Sequence, residues 1–223
     1  MSQNIKCLDP EEEETLLNVL GKRKDAERAH MLYRLMLVTG LRLGEALRLN
    51  VEDASRTKVD VQVKGWTRDG EKLARFKTVY FPKDLQARLA WFLRFKRRRG
   101  ESLAPAAPLF VSRESARLSC RQTQRDFKKW LKEAGIEGEF TPHALRHTAA
   151  TKLLKRTGNA KLVQRYLGHS DVATTLRFYV DVFPEDLKLA AEFLSGKEKV
   201  GQFGEQEDLI SLLKKGNYGN KTI

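Results

Sequence analysis

Thr141-Pro142-His143-Ala144-Leu145-Arg146-His147-Thr148-Ala149-Ala150-Thr151 decides how the chain is read, because it joins a helix start to reactive side chains. Proline suits the beginning of a helix, where its missing N–H is not needed, so a helix is predicted over about 143–156. His143 and Arg146 stand three residues apart and share one face of it. Both lie in the first turn, where free backbone N–H groups and the helix dipole attract an oxyanion. A His-x-x-Arg pair on its own is more often surface than site, so its neighbours have to decide.

On the C-terminal side a helix is predicted over 160–167, followed by Leu167-Gly168-His169-Ser170 at a helix–helix corner. A capping histidine is the ordinary explanation there. Further helices are predicted at 172–179, which ends in Thr174-Thr175-Leu176-Arg177-Phe178-Tyr179, and at 185–194. A single tyrosine near a helix end is usually core or interface. Residues 195–205 are polar and glycine-bearing, which closes the compact domain at 1–195 and leaves 196–223 as a tail. Within that tail Leu209, Ile210, Leu212 and Leu213 fall on a helix over 206–215. It is too short to be stable alone and needs a surface to dock on.

On the N-terminal side, Asp9-Pro10 followed by Glu11 to Glu14 is a capped, acid-led helix start that ends at Gly21. A second helix is predicted over 25–39, with Met31, Leu32, Leu35, Met36 and Val38 inward and Gly40 as its C-cap. After Arg42 comes a short helix over 45–49. Val59, Val61 and Val63 alternate as a strand, and 76–81 returns as another across a polar loop at 66–73. Helices follow at 83–99, which carries the basic run Lys96-Arg97-Arg98-Arg99, and at 120–134, with a short extended piece at Leu109-Phe110-Val111 between them. The fold class is therefore mainly α with one small antiparallel β-sheet.

Lys and Arg total 42 against 29 Asp and Glu, a net charge of +13, and such an excess points first to nucleic acid as partner. Cys7 and Cys120 are far apart and unpatterned, which excludes a disulfide framework or a zinc site built from cysteines. No apolar run has signal-peptide or membrane-span length. Together these point to a cytoplasmic protein, either associated with nucleic acid or generically basic and soluble. Arg42 sits in Thr39-Gly40-Leu41-Arg42-Leu43-Gly44-Glu45, among apolar neighbours, where an unpaired arginine is costly. Glu45 is a candidate orienting carboxylate, and the pair read alone fits an internal ion pair that only holds the helix.

Taken in order, Arg42, a hairpin lysine, His143-x-x-Arg146, Leu167-Gly168-His169 and a tyrosine after Thr174-Thr175 resemble the tyrosine recombinases, the phage integrase and Xer family. The likeness covers about residues 8–194. It extends to the linking text Thr-Gly-Leu-Arg-Leu-Gly-Glu-Ala-Leu-Arg-Leu and Val-Gln-Arg-Tyr-Leu-Gly-His-Ser. The resemblance implies DNA cleavage and rejoining through a 3′-phosphotyrosyl intermediate, with no metal, ATP or other cofactor. Arg42 and Arg146 would grip the non-bridging phosphate oxygens. Lys64, in Val63-Lys64-Gly65, would protonate the leaving 5′-oxygen; Lys72 and Lys77 on the same hairpin would be solvated surface or phosphate contacts. His143 would assist proton transfer, His169 would donate to the phosphorane, and Tyr179 would be the nucleophile.

The family usually places its nucleophile nine residues after the Leu-Gly-His histidine, which falls here on Phe178, with Tyr179 at ten. On a helix one residue is about 100° of rotation. A local bulge could bring Tyr179 to the phosphate, position 178 could be an altered tyrosine, or the chain could bind without cutting. Tyr179 is preferred as the only tyrosine near the motif, Tyr166 being assigned to the core. Most relatives also carry an N-terminal helical domain that clamps DNA, whereas here the catalytic-domain opening begins almost at Met1. Weak DNA binding by this chain alone is the expectation. The partners implied are double-stranded DNA and further copies of the chain, a tetramer on two sites with the tail docked on a neighbour or on its own domain. A type IB topoisomerase and a non-catalytic DNA-binding protein on the same scaffold are the competing classes.

Overall fold

The computed structural model describes residues 6–68, 71–114 and 116–168. The side chains of 64–73, and all of His169, Phe178, Tyr179, the helices expected at 172–179, 185–194 and 206–215, and the boundary at 195, lie outside the described residues.

Helix α1, Pro10–Gly21, has the capped, acid-led start expected of it, and the cap is a reciprocal capping box. The Glu12 N–H donates to Asp9 Oδ1 at 2.8 Å and the Asp9 N–H donates to Glu12 Oε2 at 2.9 Å. Helix α2, Glu27–Thr39, begins two residues later than expected, with Ala26 as an N-cap that offers no side-chain acceptor. Asp25, where the helix was expected to begin, lies before it and accepts from Arg23 Nε at 3.2 Å. Gly40 closes α2 in the left-handed region at φ 61°, its N–H donating to Met36 O at 2.8 Å. Helix α3, Leu43–Leu47, is offset two residues towards the N-terminus from its expectation, and a 3₁₀ turn at Val51–Ser55 follows it.

Strands β1, Lys58–Arg68, and β2, Glu71–Tyr80, form one antiparallel hairpin. The polar loop expected over 66–73 is a correction: Trp66 pairs with Leu73, Thr67 with Lys72 and Arg68 with Glu71. Backbone pairing carries the ladder through polar side chains because it does not require an apolar face. The register slips between Val63 and Trp66, so Lys64 and Gly65 stand opposite Ala74 alone, the two-against-one count of a β-bulge.

Helices α4, Lys83–Arg98, α5, Cys120–Glu133, α6, His143–Thr157, and α7, Ala160–Leu167, complete the described part. Helix α2 is its centre, packed against α1, α4, α5 and α6. Tyr33, Leu37 and Thr39 are buried on it together with Met31, Leu32, Leu35 and Met36, whereas Val38 is half-buried. Phe127 of α5 meets the Tyr33 ring edge-on at 5.1 Å, and Phe92 of α4 lies 5.4 Å from Phe110. Each such fully buried side chain contributes about 1.5–3 kcal/mol. A smaller cluster of Ala150, Leu154, Val163 and Leu167 fastens α7 to α6. Lys96 does not belong to a solvated basic face: it is fully buried, donating to Glu101 Oε2 at 2.9 Å and Pro108 O at 3.3 Å. Arg97, Arg98 and Arg99 remain exposed.

Candidate active site

Arg146 stands one turn into α6 and its side chain is 1% exposed. Burying an arginine is tolerable only when its donors are met, and here the acceptors come from two other elements. Nη1 donates to Gly40 O at 2.6 Å and Nη2 donates to Leu167 O at 2.8 Å. Both carbonyls sit at helix C-terminal ends, where the last turn leaves C=O groups without intrahelical partners. One guanidinium thus joins the ends of α2 and α7.

Gly40 makes this possible by its lack of a side chain. A Cβ there would lie 2.5 Å from Leu167 Cδ2, closer than van der Waals contact permits, and φ 61° is strained for any other residue.

Arg42 precedes α3, and Glu45 lies in that helix's first turn. The Arg42 N–H donates to Glu45 Oε2 at 3.0 Å and its Nη1 donates to Oε1 at 2.9 Å. The orienting role expected of Glu45 is present, and Glu45 also does more. Its Oε2 lies 3.4 Å from Lys77 Nζ and 3.8 Å from Arg146 Nη1. Burial alone would raise the Glu45 pKa; Lys77, the Arg42 N–H and guanidinium, and Arg146 outweigh it and hold the carboxyl below its ordinary range.

Lys77 is the member that sequence reasoning left open between solvated surface and a phosphate contact, and it is buried. Its side chain is 7% exposed, and Nζ donates to Leu167 O at 3.2 Å, sharing that carbonyl with Arg146. Burial pushes its pKa down to about 8, with Glu45 opposing and Arg146 and Arg42 adding to the shift. It is still protonated at neutral pH. Burial and Arg42 likewise push Arg146 down to about 10, against the pull of Glu45, and it too stays charged. Three cations, Arg42, Lys77 and Arg146, therefore surround one carboxylate, an excess of two positive charges in a largely enclosed place.

His143 lies at the exposed rim of α6, with the His147 ring edge-on at 4.5 Å. Partial burial, then Arg146 and Arg42, lower its pKa. The imidazole is neutral at pH 7 and able to accept a proton. Lys64 enters by its backbone position on β1, at the bulge. Tyr166 is excluded as a reactive hydroxyl: its OH donates to Val38 O at 2.7 Å, and burial raises its pKa. Tyr33 is fully buried in the core and Tyr80 is exposed on β2. Arg117 had no signal in the sequence, yet it donates to Leu47 O at 2.7 Å and Leu49 O at 3.0 Å and so braces the exit of α3.

Of the six site residues expected, the fold brings Arg42, His143 and Arg146 to one place; the Lys64 side chain, His169 and Tyr179 lie outside the described residues. The chain immediately before His169 ends within the cluster, at the Leu167 carbonyl. Among the described residues no helix is long and apolar enough to cross a membrane.

The phage integrase family model matches residues 6–186. The chain is 32% identical over 171 residues to tyrosine recombinase XerC of Vibrio campbellii (strain ATCC BAA-1116), a match covering 76% of this chain and 52% of that protein. Against tyrosine recombinase XerC of Caldanaerobacter subterraneus subsp. tengcongensis it is 34% identical over 184 residues, covering 81% and 48%. The chain thus spans about half the length of the curated relatives it matches. Among solved structures, XerH recombinase bound to palindromic difH substrate in a post-cleavage complex superposes with a TM-score of 0.67 at 23% identity, over 86% of this chain and 54% of that one. The catalytic domain of bacteriophage HP1 integrase does so with a TM-score of 0.56 at 22% identity, over 87% and 99%. At those identities the likeness is one of fold. The chain belongs to the phage integrase family and has the fold of a tyrosine recombinase catalytic domain.

Proposed function

We propose that this chain cuts and rejoins duplex DNA at specific sites, using Tyr179 as the nucleophile. The observation that supports this reading best is the cluster of Arg42, Lys77 and Arg146 about the single Glu45 carboxylate. Its surplus positive charge suits a phosphodiester whose charge grows as the phosphorus becomes five-coordinate.

In the proposed reaction the Tyr179 oxygen attacks the scissile phosphorus while its proton passes to His143. The bond from phosphorus to the 5′-oxygen breaks, and Lys64 supplies that oxygen's proton. The product is a 3′-phosphotyrosyl bond and a 5′-hydroxyl, and reversal by a hydroxyl of the same or a partner strand reseals the chain. Arg42 and Arg146 hold the non-bridging oxygens as planar forks, a fit that a lysine cannot reproduce. His169 donates to the phosphorane. Neither metal nor ATP is needed, because guanidinium groups supply the charge and the phosphotyrosyl bond conserves the energy of the phosphodiester.

A net charge of +13 supports duplex DNA as the partner, and the relatives' names supply the class of reaction. Exchange between two sites requires several active sites at once, so a tetramer on paired DNA is the working assembly, with residues 196–223 as the segment that docks between copies or on its own domain.

The test is covalent trapping on a pool of nicked duplexes with randomised core sequence. A denaturation-resistant protein–DNA band in wild type that disappears in Tyr179→Phe is expected. A band absent from wild type but present in Phe178→Tyr would show instead a recombinase fold that binds DNA without cutting it.

A further inference from the structure

We propose that Lys77 is a positioning residue, which fastens the β-hairpin to the α7 corner and to Glu45 so that the hairpin lysine and Arg146 are presented to the phosphate at one fixed spacing. This deepens the recombinase reading and rests on it. Lys77 lies on the inner side of β2, between the half-buried Arg75 and the buried Val79, and pairs in register with Val61. Lys64 is three residues from Val61, roughly 10 Å along a strand. The bulge partner Ala74 is three residues from Lys77 on the other strand. Lys77 therefore anchors the ribbon just below the place where the ladder slips.

A two-stranded ribbon has little stability of its own, so its outer half takes its position from what holds its base. Valines do this on the core side, where Val59, Val61 and Val79 are buried. On the side of α7 the described tie is Lys77, through Nζ to the Leu167 carbonyl.

The other end of the tie is equally specific. Arg146 and Lys77 donate to the same Leu167 oxygen, so that carbonyl cannot move without disturbing both. The next residue, Gly168, has φ 68°, and a Cβ on it would lie 2.9 Å from Lys77 Cδ. The aliphatic stem of Lys77 thus rests on the backbone of the corner that leads into His169. A methionine would fill this volume without the desolvation that an ammonium costs. A buried lysine instead supplies three directed donors, and two of its partners, Leu167 O and Glu45, are the partners of the phosphate-gripping arginines.

The experiment uses the full chain, with Lys77→Met removing the charge at similar length and Lys77→Arg retaining it. Hydrogen exchange on the DNA-free protein reads the tie directly. In Lys77→Met the segments 71–80 and 160–168 are expected to exchange about 10-fold faster, the scale of one charge-assisted hydrogen bond, while α1 and α2 keep their wild-type protection. On nicked duplex the same variant is expected to bind within about 2-fold of wild type yet form the covalent adduct at least about 10-fold more slowly, because aligned geometry acts on rate more than on affinity. Lys77→Arg should recover most of both losses. Unchanged exchange in Lys77→Met, or an adduct rate equal to wild type, overturns the proposal. So does a Lys77→Met protein in which exchange rises everywhere and affinity falls together with rate, since that is loss of fold and not of position. Failure of the wild type to form any adduct would count against the recombinase reading alone, because the exchange measurement still decides whether Lys77 ties the two elements.

Discussion

Arg146 has two duties that a lysine cannot share. Its fork reaches Gly40 O and Leu167 O in different directions, and in the proposed reaction its remaining donors meet the phosphate. Arg146→Lys keeps the charge and loses the geometry. Adduct formation is expected to fall by on the order of 10²-fold, read as a single-turnover rate on nicked duplex, with a much smaller change in duplex affinity. Lys77 gives a second residue-level expectation, in stability. Its pKa is about 8 in the fold against the ordinary lysine value of 10.5, so between those pH values the unfolded chain binds more protons than the folded one. Unfolding free energy should therefore rise with pH across this window, with a slope of up to about 1.4 kcal/mol per pH unit from this group. The groups facing it are Glu45 and Arg42 at α3, Arg146 on α6 and the Leu167 carbonyl. Urea unfolding at pH 7.5, 8.5 and 9.5 checks this, and Lys77→Met should flatten the curve.

At the scale of elements, the site exists because four helix ends, the C-terminal ends of α2 and α7 and the N-terminal ends of α3 and α6, converge with one hairpin. The C-terminal end of α2 is the most demanding of these, since Gly40 caps the helix, accepts from Arg146 and lies against Leu167. Gly40→Ala combines a left-handed alanine with a contact of 2.5 Å to Leu167 Cδ2. A loss of about 2–4 kcal/mol is expected from strain and overpacking together, measured by chemical denaturation, with adduct formation reduced even where the protein is still folded.

Elements also show where the sequence was legible. Arg42 and Glu45 could be paired from their spacing, because a residue that precedes a helix stands within reach of the third residue of its first turn. His143 and Arg146 could be placed on one helix turn, and Asp9-Pro10 before four glutamates announced the start of α1. The place of Lys77 could not be settled, because this stretch carries apolar residues in both phases: Phe76 and Tyr80 are exposed, while Lys77 shares the inward phase with Val79 and Phe81. Alternation of apolar residues, the usual guide to a strand's buried face, does not choose between the two faces here. The hairpin's length was hidden for a related reason, since Thr67, Arg68, Glu71 and Lys72 pair through their backbones and nothing in their side chains requires it.

For the whole molecule, 42 basic against 29 acidic residues should make the proposed affinity for duplex DNA depend on counterion release. Binding should weaken by at least about 10-fold between 50 and 200 mM salt, with a straight line of log K against log salt concentration, as measured by fluorescence anisotropy on a labelled duplex. Part of this charge is internal, however: Lys96 is bound to Glu101 and Pro108, and Lys77 to Glu45 and Leu167. The slope should therefore report fewer phosphate contacts than the net charge suggests.

The central claim is that Tyr179 attacks a phosphate gripped by Arg42 and Arg146. The most direct measurement digests the trapped protein–DNA adduct and locates the nucleotide-bearing peptide by mass spectrometry. A nucleotide remnant on Tyr179 in wild type, lost in Tyr179→Phe and strongly reduced in Arg146→Lys, is the expected result. A remnant on Tyr80, Tyr166 or any other residue, or an adduct that survives Tyr179→Phe, would contradict it.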